Sequence, residues 1–308
     1  MNVEESDCCG NGCANCILDI NKTSKDVVRK LENNINCLHT KNLYELISVE
    51  YVVEPDILKM RFKLNTQVIS DNQSNDLVLY IPPGHHIMMQ TSLYSRPYTP
   101  FWVDEKNLQF EILINLRPNG AMSKYIKQLR LGDLVLFKGP IGKFHHEINK
   151  YEYLLLFTNG VAVASVIPII EQILNNEDDM TRIIFFGCFT DLENFYFREN
   201  FFNYKQYWNF IGTSYLAKEN CGYDCKTQDE IKNESCNKKE CCIHLKQKLK
   251  YGEKILNRRL TTEDISECID SINTNKVKVV VCGSKSFENF IKESLDICKI
   301  NKENIDVL

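Results

Sequence analysis

The chain has 308 residues, of which 44% are hydrophobic and 25% are charged, a composition typical of a globular protein with room for two domains. The 37 lysines and arginines against 41 aspartates and glutamates give a formal net charge of −4. That balance provides no basic field, so we expect neither nucleic acid nor an anionic membrane as the main partner. The apolar runs are shorter than the roughly 20 residues that cross a bilayer, which predicts no integral membrane segment.

Cysteine is unusually frequent in this sequence, with 14 residues. The first ten residues, MNVEESDCCG, are acidic and polar and lack the basic start and apolar centre of a signal peptide. We therefore expect a reducing, cytoplasmic location, in which cysteines are free thiols or metal ligands rather than disulfides.

Two groups of cysteines are closely spaced. In the first group, zinc binding and thiol redox exchange are both open, and its members are Cys8, Cys9, Cys13 and Cys16. The second group loosely resembles a zinc knuckle, although a solvent-exposed loop is favoured, and its members are Cys221, Cys225, Cys236, Cys241, Cys242 and His244. We assign no metal ligand in either group.

The first elements along the chain predict a helix and then a β-rich region. Residues 24–37 place apolar side chains on one helical face, with Ser24 as the expected N-cap. Over residues 43–144, six short and partly alternating runs are broken by Pro, Gly, Asn and Asp, which predicts an antiparallel barrel or sandwich. A helical piece at 123–133 interrupts these runs, with Gly132 as its expected C-cap.

From residue 151 onward, predicted strands alternate with predicted helices. The alternation predicts a Rossmann-like parallel sheet with helices packed on its faces. The polar segment 218–251 breaks this rhythm and is predicted to be a long surface insertion. The predicted domains are therefore a cysteine-rich module with a helix at 1–40, an antiparallel β-barrel at 41–150, and an α/β domain at 151–308.

The stretch SRPYTP, residues 95–100, combines side chains suited to a phosphate and a flat ring. Arg96 can clamp a phosphate with paired hydrogen bonds, and Tyr98 offers a ring and a hydroxyl. Thr99 adds a hydroxyl and a backbone amide, while Pro97 fixes the backbone. A strand end with an exposed arginine explains the same residues equally well.

A second candidate site lies at NGAMSKYI, residues 119–126. Gly120 allows a close backbone approach, and Ser123 stands where a helix N-cap is expected. The start of a helix presents free amides and the positive end of its dipole, which favours phosphate. Simple helix capping remains the alternative for this motif taken alone.

Several motifs together carry a family resemblance, and in chain order they are RPYT, GAMSKY followed by LGD, GPIGKF, a strand–glycine–helix unit and a late VCG. Over residues 43–308 their order and spacing resemble the NADH–cytochrome b5 reductases of the ferredoxin–NADP reductase superfamily. IPPGHHIMM is similar to the Pro-x-Gly-Gln-His strand of that family, with His86 at the histidine position. DCCGNGCANC, GCF and CGSKSF resemble the cytochrome b5 reductase-like subgroup.

The resemblance implies FAD on the barrel and NADH on the second domain. Arg96 would hold the flavin diphosphate, Tyr98 would pack on the flavin, and Thr99 would face the ring. Cys282 would lie beside the nicotinamide, so Thr99 and Cys282 are the implied catalytic residues. The implied cofactor-binding residues are Arg96, Pro97, Tyr98, Thr99, Gly120, Ala121, Met122, Ser123, Gly160 and Gly283.

The implied function is an FAD-dependent oxidoreductase that takes hydride from NADH and passes single electrons to a haem protein such as cytochrome b5. Asp191 and Glu193, after the second α/β strand, favour NADH over NADPH, although a solvated loop explains them equally well.

Several residues in the segments that the resemblance implies for nicotinamide binding differ from the family pattern. Residues 159–165, NGVAVAS, replace Gly-Gly-Thr-Gly-Ile-Thr-Pro, CGSKSF replaces Cys-Gly-Pro-Pro, and Asn115 stands where the family tends to carry lysine. Asn159 is expected to tolerate a left-handed backbone. We therefore predict weakened or altered NADH binding. Two alternative functions remain: a reductase for another carrier, and a flavin-binding or scaffold protein with a decayed nicotinamide site and partner-binding cysteine modules.

Overall fold

The computed structural model describes residues 35–68, 77–217 and 247–308. Both cysteine groups predicted from the sequence, most of the N-terminal helix and most of the insertion lie outside these residues. These residues divide into two compact units, the first formed by residues 35–68, 77–147, 164–175 and 306–308, and the second by residues 148–163, 176–217 and 247–305. No helix in the described part of the chain is both long and apolar enough to cross a membrane.

The first unit is dominated by antiparallel strands. Its strands are β1 (Ile35–Asn36), β2 (Asn42–Val53), β3 (Ile57–Leu64), β4 (Leu77–Val78), β5 (His86–Gln90), β6 (Ser95–Tyr98), β7 (Pro100–Asp104), β8 (Gln109–Asn115) and β9 (Leu134–Ile141). Over the described residues, seven of them form one sheet in the order β6-β5-β9-β2-β3-β8-β7, and β1 pairs with β4 in parallel.

The two edge strands of this sheet are consecutive in the chain. β6 and β7 stand at opposite ends of the strand order, and Thr99 alone separates them. Since one residue cannot span an open sheet, the sheet must curl until its edges meet, as a barrel does. We call this junction at Thr99 the barrel seam. The predicted antiparallel barrel is confirmed.

The barrel is filled by a cluster of aromatic rings. Tyr44, Phe62, Phe110 and Phe137 are each 0% exposed. The centroids of their contacting rings lie between 4.9 and 5.7 Å apart, mostly edge to face. The four residues come from β2, β3, β8 and β9, where alternate side chains point inward. This shared core ties the strands to one another.

The second unit is built on a parallel sheet. Its strands are β10 (Tyr153–Asn159), β11 (Arg182–Phe189), β12 (Phe210–Leu216), β13 (Ile255–Leu256) and β14 (Val277–Cys282). Their order is β13-β12-β11-β10-β14, and each neighbouring pair is parallel. The described α-helices of the chain are α1 (Ala121–Gln128), α2 (Ile167–Leu174), α3 (Arg198–Tyr204), α4 (Thr262–Asp270) and α5 (Lys285–Ile297). The predicted Rossmann-like parallel sheet is confirmed.

The register aligns the carboxyl ends of three neighbouring strands. Asn159 at the end of β10 lies opposite Cys188 in β11. Thr158 lies opposite Cys282 at the end of β14. Because the strands run in parallel, these ends and the residues after them share one edge of the sheet, where open α/β sheets bind their ligands.

Some local predictions are wrong. The predicted helix at 24–37 does not reach its expected end, because Ile35–Asn36 is a strand paired with Leu77–Val78. α1 ends at Gln128, so Gly132 does not cap it and instead adopts a φ of +90° in the turn before β9. The segment LENFYFRENFFN, residues 192–203, predicts a helix from Leu192, but the helix begins only at Arg198.

We expect the Phe137→Ala substitution to lower the free energy of unfolding of the barrel by ~3–5 kcal/mol, because it leaves a cavity among fully buried rings. Urea unfolding followed by the fluorescence of Trp102 in a Trp208→Phe background reports the first unit alone, because the chain contains 2 tryptophans. Leu134→Ala is the matched control, since Leu134 lies on the same strand and is 43% exposed. Equal shifts in the two variants would contradict the prediction.

Candidate functional site

The strand β6 carries a cation and an aromatic ring on one side. Arg96 and Tyr98 are two residues apart in an extended strand, so their side chains leave the same face. The Arg96 Nη1 donates to the Ser95 carbonyl at 3.0 Å. Tyr98 packs against the barrel core, and burial raises its pKa to about 12 despite the opposing charge of Arg96. The phenol is therefore neutral near pH 7.

The remaining residues of the motif lie on either side of this pair. Pro97 is exposed and lies opposite Met88 of β5, and Thr99 occupies the barrel seam. The Ser95 hydroxyl is buried and has no hydrogen-bond partner among the described residues. An unsatisfied buried hydroxyl costs ~1–3 kcal/mol, which a polar ligand atom bound beside it would recover.

The start of α1 has no side-chain cap. Its N-cap is Gly120, whose extended backbone has φ −72° and ψ 130° and whose position shows no side-chain cap hydrogen bond. The prediction that Ser123 caps this helix is wrong, because the Ser123 Oγ accepts a hydrogen bond of 2.8 Å from the Arg117 amide. That bond closes the preceding loop instead. Among the described residues no side chain caps the first turn of α1, and a helix start of this kind, with its free amides and the positive end of the dipole, suits a phosphate.

Gly120 is also sterically fitted to its position. A Cβ there would lie 3.0 Å from the Ser123 Oγ and 3.3 Å from the Arg117 Cβ. A larger residue would push on the loop that leaves the helix start uncapped. The glycine and the serine of the motif therefore shape one local arrangement, although the serine acts differently from its expected role.

The segment GPIGKF, which begins in the last residues of β9, packs against a histidine. A Cβ at Gly142 would lie 2.8 Å from the His85 ring, so this close contact requires glycine. Burial, and then the neighbouring His85, lowers the pKa of His86 to about 4. His86, which stands at the histidine position of the family strand, is therefore neutral near pH 7.

On the second unit, Gly160 directly follows β10. It has a φ of +60°, so the left-handed backbone falls on Gly160 rather than on Asn159, where we expected it. The chain turns at once into a 3-10 helix at Gly160–Ser165. A positive φ of this kind favours glycine, which explains why this glycine is kept in a loop that otherwise departs from the family.

Cys282 and Gly283 lie at the same sheet edge. Cys282 ends β14, and a Cβ at Gly283 would lie 2.7 Å from the Phe287 Cδ1 and 3.0 Å from the Asn159 Cβ. The structure therefore brings Gly160, Cys282 and Gly283 together on one edge. The Thr158 hydroxyl nearby is fully buried and has no hydrogen-bond partner in the described part of the chain.

Asp191, expected to recognise a ribose, is engaged locally. Its Oδ1 accepts from the Asn194 amide at 2.9 Å and from the Asn194 Nδ2 at 2.8 Å. This arrangement is an ordinary turn, and it uses one of the two oxygens that we assigned to a ligand. Glu193, its predicted companion, is exposed.

Sequence reasoning missed a polar group of residues at the same edge. The Arg258 Nη1 and Nη2 each donate to an Asp264 oxygen at 2.6 Å. These bonds, chiefly, lower the pKa of Asp264 to about 2. The sequence signal was the capping box TTED at the start of α4, which places Asp264 near the preceding arginine.

No group of three or more His, Cys, Asp or Glu side chains within residues 35–68, 77–217 and 247–308 is arranged to hold a metal ion. In the same residues, no disulfide joins any of the cysteines Cys37, Cys188, Cys268, Cys282 and Cys298.

Residues 45–146 match the family described as "Oxidoreductase FAD-binding domain". The chain is 27% identical to the human "NADH-cytochrome b5 reductase-like" protein and 29% identical to its mouse counterpart, each over 230 residues, 70% of this chain and 71% and 72% of the relatives. Its fold is similar to the cytochrome b5 reductase domain of Ulva prolifera nitrate reductase, with a TM-score of 0.65 at 15% identity, over 89% of this chain and 100% of that domain.

The fold and the sequence matches define an FAD-binding oxidoreductase. More narrowly, the chain is similar to NADH-cytochrome b5 reductase-like proteins, as its motifs predict. The predicted fold class and the predicted resemblance are thereby confirmed. The residue assignments within the site stay predictions.

We expect Gly283→Ala to lower the free energy of unfolding of the second unit by ~1–3 kcal/mol through overpacking against Phe287. Unfolding followed by Trp208 fluorescence in a Trp102→Phe background measures it. The cost should shrink when Phe287→Ala is added, since the two changes share one contact. Gly160→Ala is the contrasting variant: no atom lies within 4 Å of its added Cβ, so only backbone strain of ~1 kcal/mol is expected, independent of Phe287. If Gly283→Ala lowers the free energy of unfolding equally with and without Phe287→Ala, the proposed contact is not the cause.

Proposed function

We propose that this protein takes hydride from NADH onto FAD and passes single electrons to a haem protein such as cytochrome b5. The observation that carries the proposal is the RPYT motif on β6 and at the barrel seam, within a domain that matches an FAD-binding family. The family match supports FAD, and the names of the relatives support NADH and the type of acceptor.

When bound, FAD accepts a hydride and releases electrons one at a time, so the chain has to supply only binding, orientation and electrostatics. We assign the diphosphate to Arg96 and to the uncapped amides of Ala121–Ser123, which combine a fixed cation with the positive end of a helix. We assign the flavin ring to Tyr98 and Thr99. The neutral phenol of Tyr98 adds no charge beside the ring.

We assign the nicotinamide nucleotide to the carboxyl edge of the parallel sheet. Gly160 and Gly283 keep Cβ atoms out of the positions that follow β10 and β14, so a nucleotide can approach the backbone there. Cys282 is assigned to the nicotinamide as a contact surface. No side chain has to move a proton in this scheme, because hydride transfer needs alignment rather than an acid or a base.

Within this proposal, residues 41–150 bind the flavin and residues 151–308 bind the nicotinamide nucleotide. We place the protein in the cytoplasm, which the cysteines without disulfides among the described residues support. The formal net charge of −4 supports a protein acceptor rather than nucleic acid as the partner.

A second candidate function is a flavin-binding or scaffold protein with a decayed nicotinamide site. The loop at residues 159–165 favours it, because Val161 and Ala164 stand where the family carries threonines. Ala162 also adds a Cβ where the family has glycine. The visible spectrum separates the two: loss of the oxidised flavin bands on adding NADH supports the reductase, and an unchanged spectrum supports the scaffold.

We expect Arg96→Ala to weaken FAD binding roughly 10- to 100-fold, the equivalent of a charged hydrogen bond worth ~1.5–3 kcal/mol. Quenching of flavin fluorescence on titration of the apoprotein measures the dissociation constant. Arg130→Ala is the matched control, because Arg130 lies in the same unit and its side chain is exposed. If both variants bind FAD equally well, the assignment of Arg96 to the diphosphate is wrong.

We expect the FAD-loaded protein to reduce both ferricyanide and cytochrome b5 when NADH is supplied. Ferricyanide accepts electrons from almost any reduced flavin, so its reduction checks the flavin and nicotinamide halves together. Reduction of cytochrome b5 tests whether this haem protein can serve as the electron acceptor. Reduction of ferricyanide without reduction of cytochrome b5 would keep the flavoenzyme and exclude this acceptor.

A further inference from the structure

We infer that the ion pair between Arg258 and Asp264 makes this protein select NADH over NADPH, because Asp264 neutralises the cation that would otherwise receive a 2′-phosphate. The inference rests on the proposed use of a nicotinamide nucleotide. It assigns a specificity-determining role to two residues that carry no family motif.

The pair is built with defined geometry. Two hydrogen bonds of 2.6 Å join the two terminal nitrogens of Arg258 to the two oxygens of Asp264. The guanidinium carbon also lies 5.5 Å from the ring centroid of Tyr215. The Asp264 Oδ2 accepts further bonds from the Thr261 amide at 3.0 Å and the Thr261 hydroxyl at 3.1 Å. The Asp264 carboxylate is therefore fixed by hydrogen bonds from both Thr261 and Arg258, and it fixes the Arg258 guanidinium in return.

The pair stands at the position where dinucleotides are distinguished. Tyr215 lies near the end of β12, directly opposite Cys188 near the end of β11. The charge of Asp264 contributes to raising the pKa of the Cys188 thiol to about 12, after burial as the main cause. In doubly wound sheets, the end of the strand that follows the phosphate loop faces the adenosine ribose, where an acid accepts the 2′-hydroxyl or an arginine accommodates a 2′-phosphate. β11 is that strand here, since it follows β10 and Gly160.

Charge decides which of the two nucleotides fits. The Arg258 side chain is 47% exposed, so a ligand can reach it, whereas the Asp264 side chain is 13% exposed. With a pKa of about 2, Asp264 is ionised at neutral pH and cancels the arginine. Glu263 and Glu267 on the same helix add negative charge against the positive charge of Arg259. A 2′-phosphate would meet a neutral pair with acidic neighbours, and a 2′-hydroxyl would meet no such penalty.

The decisive test replaces Asp264→Asn in the full, FAD-loaded chain. Calorimetric titration compares 2′,5′-ADP with 5′-AMP, two ligands that differ only in the 2′-phosphate. Releasing Arg258 should tighten binding of 2′,5′-ADP about tenfold, or about 1.4 kcal/mol, and leave 5′-AMP within about twofold. The double variant Arg258→Gln/Asp264→Asn should lose the gain. No gain in the single variant, or a gain that survives in the double variant, overturns the inference.

Two further variants separate charge from helix stability. Thr261→Ala removes the cap of α4 but leaves the ion pair, so it should lower stability without improving 2′,5′-ADP binding. If Asp264→Asn does not fold, Arg258→Gln carries the test, because a bare Asp264 carboxylate should weaken 2′,5′-ADP about tenfold relative to 5′-AMP. An unchanged ratio in that variant overturns the inference.

The outcome also distinguishes this inference from the proposed function. If NADH reduces the flavin and Asp264→Asn changes nothing, only the role of the ion pair is wrong. If neither nucleotide binds to any variant and NADH leaves the flavin oxidised, the proposed reductase function is wrong and this inference is overturned with it.

Discussion

The architecture of the first unit depends on a single covalent constraint, the one-residue connection between the two edge strands of its sheet. Thr99 joins β6 to β7, which stand at opposite ends of the strand order. The sheet must therefore close, and the aromatic core formed by Tyr44, Phe62, Phe110 and Phe137 fills the space that closure creates. The motif assigned to the flavin lies on one of the two strands that meet at this connection, so the residues assigned to the cofactor also take part in closing the barrel.

In the second unit, side-chain packing rather than a short connection brings the residues at the carboxyl edge of the parallel sheet together. Three parallel strands end in register, and Gly283 allows β14 to approach the end of β10, where a Cβ would collide with Phe287 and Asn159. Asn159 at the end of β10 and the residues Val161, Ala162 and Ala164 after it replace family glycines and threonines, whereas Gly160 and Gly283 match the family pattern. The two glycines of this sheet edge are thus present, while the side chains around them differ from the family.

The sequence predicted the parts of this fold that depend on local pattern and missed the parts that depend on tertiary contacts. Hydrophobic alternation predicted the barrel, and strand–helix alternation predicted the parallel sheet. The strand β6 was not among the six runs that predicted the barrel, although a strand end was one interpretation of its residues, and an edge strand tolerates a proline such as Pro97. Ser123 was misassigned because its partner is the amide of Arg117, outside the helix. The contact between Tyr215 and Arg258 joins residues that are far apart in the chain, so local sequence patterns could not predict it.

The barrel seam also constrains how this chain can vary. In a β-strand, successive side chains alternate between faces, so a shift of one residue sends every side chain of the strand to the other side. An inserted residue in β6 ahead of Arg96 would therefore turn the arginine and Tyr98 away from their present face without altering either amino acid. A change of length in this segment should therefore disturb the site more than a change of length in an exposed turn of the same sheet.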